Sequence, residues 1–182
     1  LFSSCPLDYV YIGRNITYFK SAYKGYSPFY RNTSLREVVV TDEEIEIYEN
    51  EFYGCSNLKN VTIGNGVKSI GNYAFSGCSA LEGFSFGSSM ENIGDEAFSD
   101  CINLTQIISS AATPPTCGTQ ALDDINKWNC TLKVPMESLA EYQQAEQWKD
   151  FFFIEGTETG IGNISSNRPS DGKCDVYGAD GR

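Results

Sequence analysis

Seven cysteines and 24 Asp and Glu residues are the groups in this 182-residue chain most able to act as nucleophiles, acids or metal ligands; there is no histidine. That absence removes the side chain that most often serves as general base, proton shuttle or metal ligand near neutral pH. A zinc centre is not expected, because no C-x-x-C pair occurs to hold one. Paired carboxylates alone can hydrolyse a glycosidic bond. Here, however, the acidic residues fall mostly at variable, outward positions of the sequence pattern described below, so a glycan-active enzyme ranks third among the functional readings. The densest acidic stretch, Asp42, Glu43, Glu44, Glu46, Glu49 and Glu51, reads as a solvated face. It lacks the spaced ligands and glycine of a calcium loop. No phosphate-binding, dinucleotide-binding or nucleophile-elbow motif appears. The sequence therefore predicts no enzyme, no cofactor and no metal site.

The cysteines point instead to architecture. Cys55, Cys78 and Cys101 recur every 23 residues, and so do the residues around them. Ile47, Ile70 and Ile93 open three units; Phe52, Phe75 and Phe98 follow, then the cysteines, then Leu58, Leu81 and Leu104, then Val61, Phe84 and Ile107. An earlier copy keeps Phe29, Leu35, Val38 and Val40, with Asn32 in the cysteine slot. The first copy keeps Phe2 and Cys5, with Leu7, Val10 and Ile12 one residue early and about five extra residues within 13–27. The closing L-x-x-V-x-I alternates as a strand does, and the stretch from Ile to Cys suits a helical or 3₁₀ turn. One unit cannot bury its apolar side alone. Stacked copies align each column into a shared interior, with Phe29, Phe52, Phe75 and Phe98 as one ladder and Leu35, Leu58, Leu81 and Leu104 as another.

The pattern I-G-x-x-A-F-x-x-C-x-x-L-x-x-V-x-I, cleanest from Ile70 to Phe86, resembles the BspA-like leucine-rich repeat found on surface proteins of Bacteroides-type bacteria and some mucosal parasites. The resemblance covers about residues 2–110. It implies an α/β solenoid: a right-handed superhelix with a parallel strand face, short helical or 3₁₀ turns on the other side, and a capping helix at the C-terminal end. It also implies export, an extracellular or cell-surface location, and a role in adhesion or ligand binding.

Three segments follow. Residues 1–110 are the solenoid, about five coils with period 23. Residues 111–156 are an irregular last coil and cap, similar to the terminal cap of the same surface proteins. There Ala121 and Leu122 replace Ala-Phe, and Leu132-x-Val134 is the last strand. Ser138 and Glu141 have the spacing of a capping box, and Leu139, Tyr142, Ala145 and Trp148 predict an amphipathic helix of about three turns. Residues 157–182 read as a Gly/Ser/Asn-rich linker, the composition shifting from Glu155 onward, and the start of a truncated C-terminal β segment at Asp175–Tyr177. Leu1–Cys5 already reads as the interior of a repeat, so a longer parent chain is expected.

The cysteines of the repeat slot are expected as buried thiols. Cys117 and Cys130, outside that slot, either bridge or stay free. A net charge of -11 argues against nucleic acid and against docking on an anionic membrane, and no apolar run reaches the ~20 residues of a spanning helix. The expected partner is a protein or glycan. Outward strand positions are small and polar in the middle coils and aromatic at the N-terminal end. Tyr9, Tyr11, Tyr18, Tyr23, Tyr26 and Val39 are therefore the candidate ligand-binding residues, since tyrosine joins apolar area to a hydroxyl. The alternative is that the tyrosines only pack onto their own coil. A binding and adhesion module is the leading function, and a structural spacer its rival.

Overall fold

The period of 23 becomes a stack of coils because each L-x-x-V-x-I run forms a strand beside its copy. The computed structural model describes residues 2, 4–13, 27–43, 46–158 and the strand 175–176. In chain order the elements are β1 (Tyr9–Ile12), β2 (Glu37–Val40), β3 (Glu46–Ile47), β4 (Asn60–Ile63), β5 (Ser69–Ile70), β6 (Gly83–Phe86), β7 (Asn92–Ile93), β8 (Gln106–Ser109) and β9 (Thr116–Cys117). Then come β10 (Thr131–Pro135), α1 (Leu139–Tyr142), β11 (Phe153–Thr157) and β12 (Asp175–Val176). Eight strands form one parallel sheet in the order β11-β10-β8-β6-β4-β2-β1-β12, and a smaller sheet runs β3-β5-β7-β9. The result is the expected leucine-rich repeat solenoid, about five turns long with a short helix near its C-terminal end.

Equivalent residues pair in register: Val38 with Val61, Val61 with Phe84, Phe84 with Ile107. Their side chains point inward and are buried, as are the Ile, Phe, Cys and Leu columns. The phenylalanine ladder is continuous. Ring centroids are 5.8 Å apart for Phe2 and Phe29, then 5.2, 5.3 and 5.5 Å through Phe52, Phe75 and Phe98. Near-parallel stacking of buried rings adds to the roughly 1.5–3 kcal/mol each gains from burial.

The turn side is built of single tight turns rather than a continuous helix. Two residues per coil have left-handed backbone, in the columns Asn50, Tyr73, Glu96, Gln120 and Arg31, Gly54, Gly77, Asp100. A left-handed residue stops a right-handed helix, and the consequence is visible in the hydrogen bonds. The amides of Glu51, Tyr53 and Cys55 bond back within their own coil, while those of Asn50, Phe52 and Gly54 donate to Asn72, Ala74 and Ser76 of the next coil. Every second amide therefore joins a ladder along the stack, and the backbone is satisfied without a helix. The coils approach so closely that a Cβ on Gly71 would lie 2.5 Å from the Glu49 nitrogen.

The cysteine slot is a donor slot. The thiols of Cys55, Cys78 and Cys101 donate to the carbonyls of Phe29, Phe52 and Phe75, one coil back, at 3.2–3.3 Å. Asn32 does the same with its amide, to Phe2 and Cys5 at 2.7 and 3.0 Å, and accepts from the amides of Ser34 and Leu35.

The last coil corrects three expectations. The Ser138 hydroxyl caps no helix; it donates to the Ala112 carbonyl at 2.6 Å. The helix is one turn, α1, flanked by 3₁₀ turns at Met136–Ser138 and Trp148–Asp150, and left-handed backbone at Gln147 (φ 64°) separates α1 from the second. Glu155–Thr157 is not linker but part of β11, paired in register with β10, and Gly156 there lies against Met136. Further on, β12 pairs in parallel with β1, Tyr11 opposite Asp175. Ala121 and Leu122 do fill the Ala-Phe place: Phe98 donates to the Ala121 carbonyl as Phe75 does to Ala97. Glu51, expected on a solvated face, is buried with its carboxylate accepting the Tyr48 amide at 2.7 Å.

Candidate functional site

A strand sends alternate side chains to opposite faces, so the inward residues of the large sheet fix which residues face out. The parallel register then lines those outward residues into two columns across the coils. One runs Tyr9, Glu37, Asn60, Gly83, Gln106, Thr131, Phe153; the other runs Tyr11, Val39, Thr62, Ser85, Ile108, Lys133, Glu155. Inner columns repeat one kind of side chain, whereas these change at almost every coil. Ion pairs flank the strands where the chain enters them: Arg36 with Asp8 at 3.4 Å, and Lys59 with Glu82 at 3.3 Å. Exposed pairs of this kind set local charge and add little stability.

The structure treats the candidate binding residues unequally. Tyr11 and Val39 are half-buried neighbours in the second column, with Tyr11 reaching back over Gly13. Tyr9 does not present its ring as expected: it is 7 % exposed, and its side chain is engaged rather than free. Tyr18, Tyr23 and Tyr26 lie outside the described residues. A second tyrosine group sits on the turn side: Tyr30 and Tyr53 stack at 5.1 Å, with the Arg31 guanidinium 5.4 and 5.8 Å from the two ring centroids.

The Cys117–Cys130 bridge does not form. Cys117 lies in β9 of the small sheet opposite Ile93, whereas Cys130 precedes β10 of the large sheet; both are free thiols. Burial pushes the thiols of Cys55, Cys117 and Cys130 up to about 12, and raises those of Cys78 and Cys101 well above the usual thiol range. Such thiols stay protonated at neutral pH and make poor nucleophiles. On the turn side the Tyr73 hydroxyl donates to Glu96 at 3.2 Å, and the carboxylate holds the phenol above its usual range. Asp124 is held below the usual carboxylate range by the Asp100 amide, at 3.0 Å, and the Ser99 hydroxyl, at 2.8 Å. Among the described residues, no three Cys, Asp or Glu side chains converge as a metal site would require, and no helix is long and apolar enough to cross a membrane.

Sequence reasoning missed the most exposed aromatic group among the described residues. Trp128 is 70 % exposed, Phe152 61 % and Phe153 47 %. The Trp128 and Phe152 rings stack at 4.9 Å, and Phe153 meets Phe152 edge-on at 4.9 Å. Phe153 is the last residue of the first outward column, so this group extends the strand face at its C-terminal edge. The available signal was Trp128 and the run Phe151, Phe152 and Phe153, of which only Phe151 is buried.

Against known proteins, residues 23–142 match the BspA type leucine rich repeat region, in six copies. Among solved structures the chain has a match in a leucine rich cell surface protein from Faecalibacterium prausnitzii A2-165. The sequences are 22 % identical, the TM-score is 0.36, and the match covers 69 % of this chain and 47 % of the other. The chain thus spans about half the length of that protein. No curated protein matches the chain.

Proposed function

We propose, from the premise that this chain belongs to the BspA-type leucine-rich repeat family, that it is an exported surface module binding a protein or glycan through the outward face of its large sheet. One observation carries the reading: the inward columns are near-constant from coil to coil, while the outward columns change chemistry. Constant positions build the scaffold, which leaves the others free to specify a ligand. Repeats of this kind generally serve as interaction modules. The negative charge and the protonated, buried thiols add no support to nucleic-acid binding or covalent catalysis. The rival reading, a spacer, draws on the plainness of the middle coils, where Asn60, Thr62, Gly83 and Ser85 offer little to grip.

Surface plasmon resonance of the whole chain against extracellular-matrix proteins and glycans separates the two. A binding module captures at least one of them, and Tyr11→Ala with Val39→Lys weakens capture at least tenfold while circular dichroism and Tm stay unchanged. Capture of nothing by the wild type favours the spacer. Unchanged capture by the double variant removes the strand face as the site.

A further inference from the structure

We propose that Trp128, Phe152 and Phe153 form a stacking platform for a sugar ring of a neutral glycan. The inference rests on the reading of the chain as a binding module and gives that module a ligand class and a place. The three rings sit together at the C-terminal edge of the sheet, with exposures of 70, 61 and 47 %. The platform is held ready, because the Phe152 amide donates to the Lys127 carbonyl at 3.0 Å and locks the two segments side by side. Trp128 and Phe152 use one face each on one another, at 29° between planes. Groups held in place before binding lose little entropy when a ligand arrives.

Size and charge choose the occupant. At roughly 150–250 Å² per aromatic side chain, the exposed parts come to about 350 Å². A second copy or another folded protein needs roughly 800 Å² per partner, so the platform alone does not make such an interface. It does match one or two sugar rings. A pyranose has an apolar C–H face that can lie on an aromatic ring and a rim of hydroxyls that needs donors and acceptors. Polar groups accompany the rings along the chain: exposed Asn129 follows Trp128, and Lys127 before it has its Nζ between Asp123 and Asp150 at 3.9 and 3.7 Å. Two carboxylates around one ammonium, in a chain of net charge -11, repel an anionic sugar and accept hydroxyls of a neutral one.

Tryptophan emission tests this on the whole chain, since Trp148 is 1 % exposed and Trp128 dominates any response to solute. The probes are hexasaccharides of β-linked glucose, galactose, mannose and N-acetylglucosamine, with hexagalacturonate as the anionic comparison. At least one neutral probe shifts the emission saturably, and hexagalacturonate binds at least tenfold more weakly. Isothermal titration then shows a loss of about tenfold for Trp128→Ala and for Phe152→Ala. Ile102→Ala, a change at an exposed apolar residue elsewhere, has no effect. No response to any neutral probe overturns the proposal, as does equal or tighter binding of hexagalacturonate. A dimer in sedimentation that Trp128→Ala dissolves also overturns it, in favour of self-association. Failure here, with capture on the matrix and glycan panel intact, leaves the broader reading standing; failure of both removes it.

Discussion

Between Ile47 and Ser109 each coil is completed by a copy of itself, whereas beyond Pro115 the chain completes a coil with unlike parts. The hydrogen bonds make the contrast explicit. Phe52, Phe75 and Phe98 donate their amides to the backbone carbonyls of Ala74, Ala97 and Ala121. At the next step no such carbonyl is used, and the Leu122 amide donates to the side chain of Gln147 at 3.1 Å, whose own amide returns a bond to the Gly118 carbonyl at 2.7 Å. Gly54 and Gly77 donate to Ser76 and Ser99, while Asp100 donates to the Asp124 carboxylate. Trp148 and Tyr142 then bond the carbonyls of Pro115 and Ala111. A repeat needs only its neighbour, but an end needs side chains that imitate one. Side chains of the last coil thus take up turn-side donors and acceptors that a further coil would have met.

Alkali is expected to break both regions at once, with the largest effect. The thiols of Cys55, Cys78 and Cys101 in the repeats, of Cys117 and Cys130 in the last coil, and the Tyr142 hydroxyl there all have pKa values raised by burial. Their folded values lie above the unfolded ones, so the unfolded chain releases protons first. The stability they confer is complete below about pH 9, the unfolded thiol value, and is lost as pH rises toward the folded value of about 12, by about 1.4 kcal/mol per pH unit for each titrating group. Denaturant titrations at pH 8 and pH 10.5 check this. Equal stability at the two values contradicts the burial of these groups.

Single substitutions separate the regions. Phe75→Ala removes a ring packed from both sides and is expected to cost about 3–5 kcal/mol. Leu122→Ala, in the equivalent place of the last coil, is expected to cost about 2–3 kcal/mol, because a coil with unlike parts on one side can relax into the gap. Urea denaturation measures both, and a reversed order breaks the contrast. Gln147→Ala strands the Leu122 amide and the Gly118 carbonyl and is expected to cost about 2 kcal/mol. Gln147→Glu keeps the acceptor but not the donor and falls between. Equal stability of all three would mean that the end needs no imitation of a coil.

This contrast also explains how much the sequence disclosed. Phe29, Phe52, Phe75 and Phe98 were legible because one spatial column is one sequence period, so spacing alone places them in contact. The strand face followed from the same register. In the last coil the step changes: Gln106 pairs with Thr131 and Thr131 with Phe153, steps of 25 and 22 residues. The Trp128–Phe152 stack therefore lies on no repeated column. The spacing of Leu139, Tyr142, Ala145 and Trp148 fits a helix of about three turns, and Tyr142 and Trp148 are indeed buried. The left-handed backbone at Gln147, required to face its amide toward Leu122 and Gly118, has no signature in apolar spacing. Alternation places Tyr9 outward, but it fixes a direction and not what covers the ring. The composition of Glu155–Thr157 suits a linker, whereas strand pairing with β10 depends on register rather than residue type.

The stacked interior holds the coils together, and a double-mutant cycle measures it most directly. Phe52 and Phe75 stack at 5.3 Å, whereas Phe52 and Phe98 are separated by the ring of Phe75. The cycle Phe52→Ala with Phe75→Ala is predicted to give a coupling of about 0.5–1.5 kcal/mol, and Phe52→Ala with Phe98→Ala a coupling near zero. Equal couplings for the two pairs, or none for Phe52 with Phe75, would contradict it.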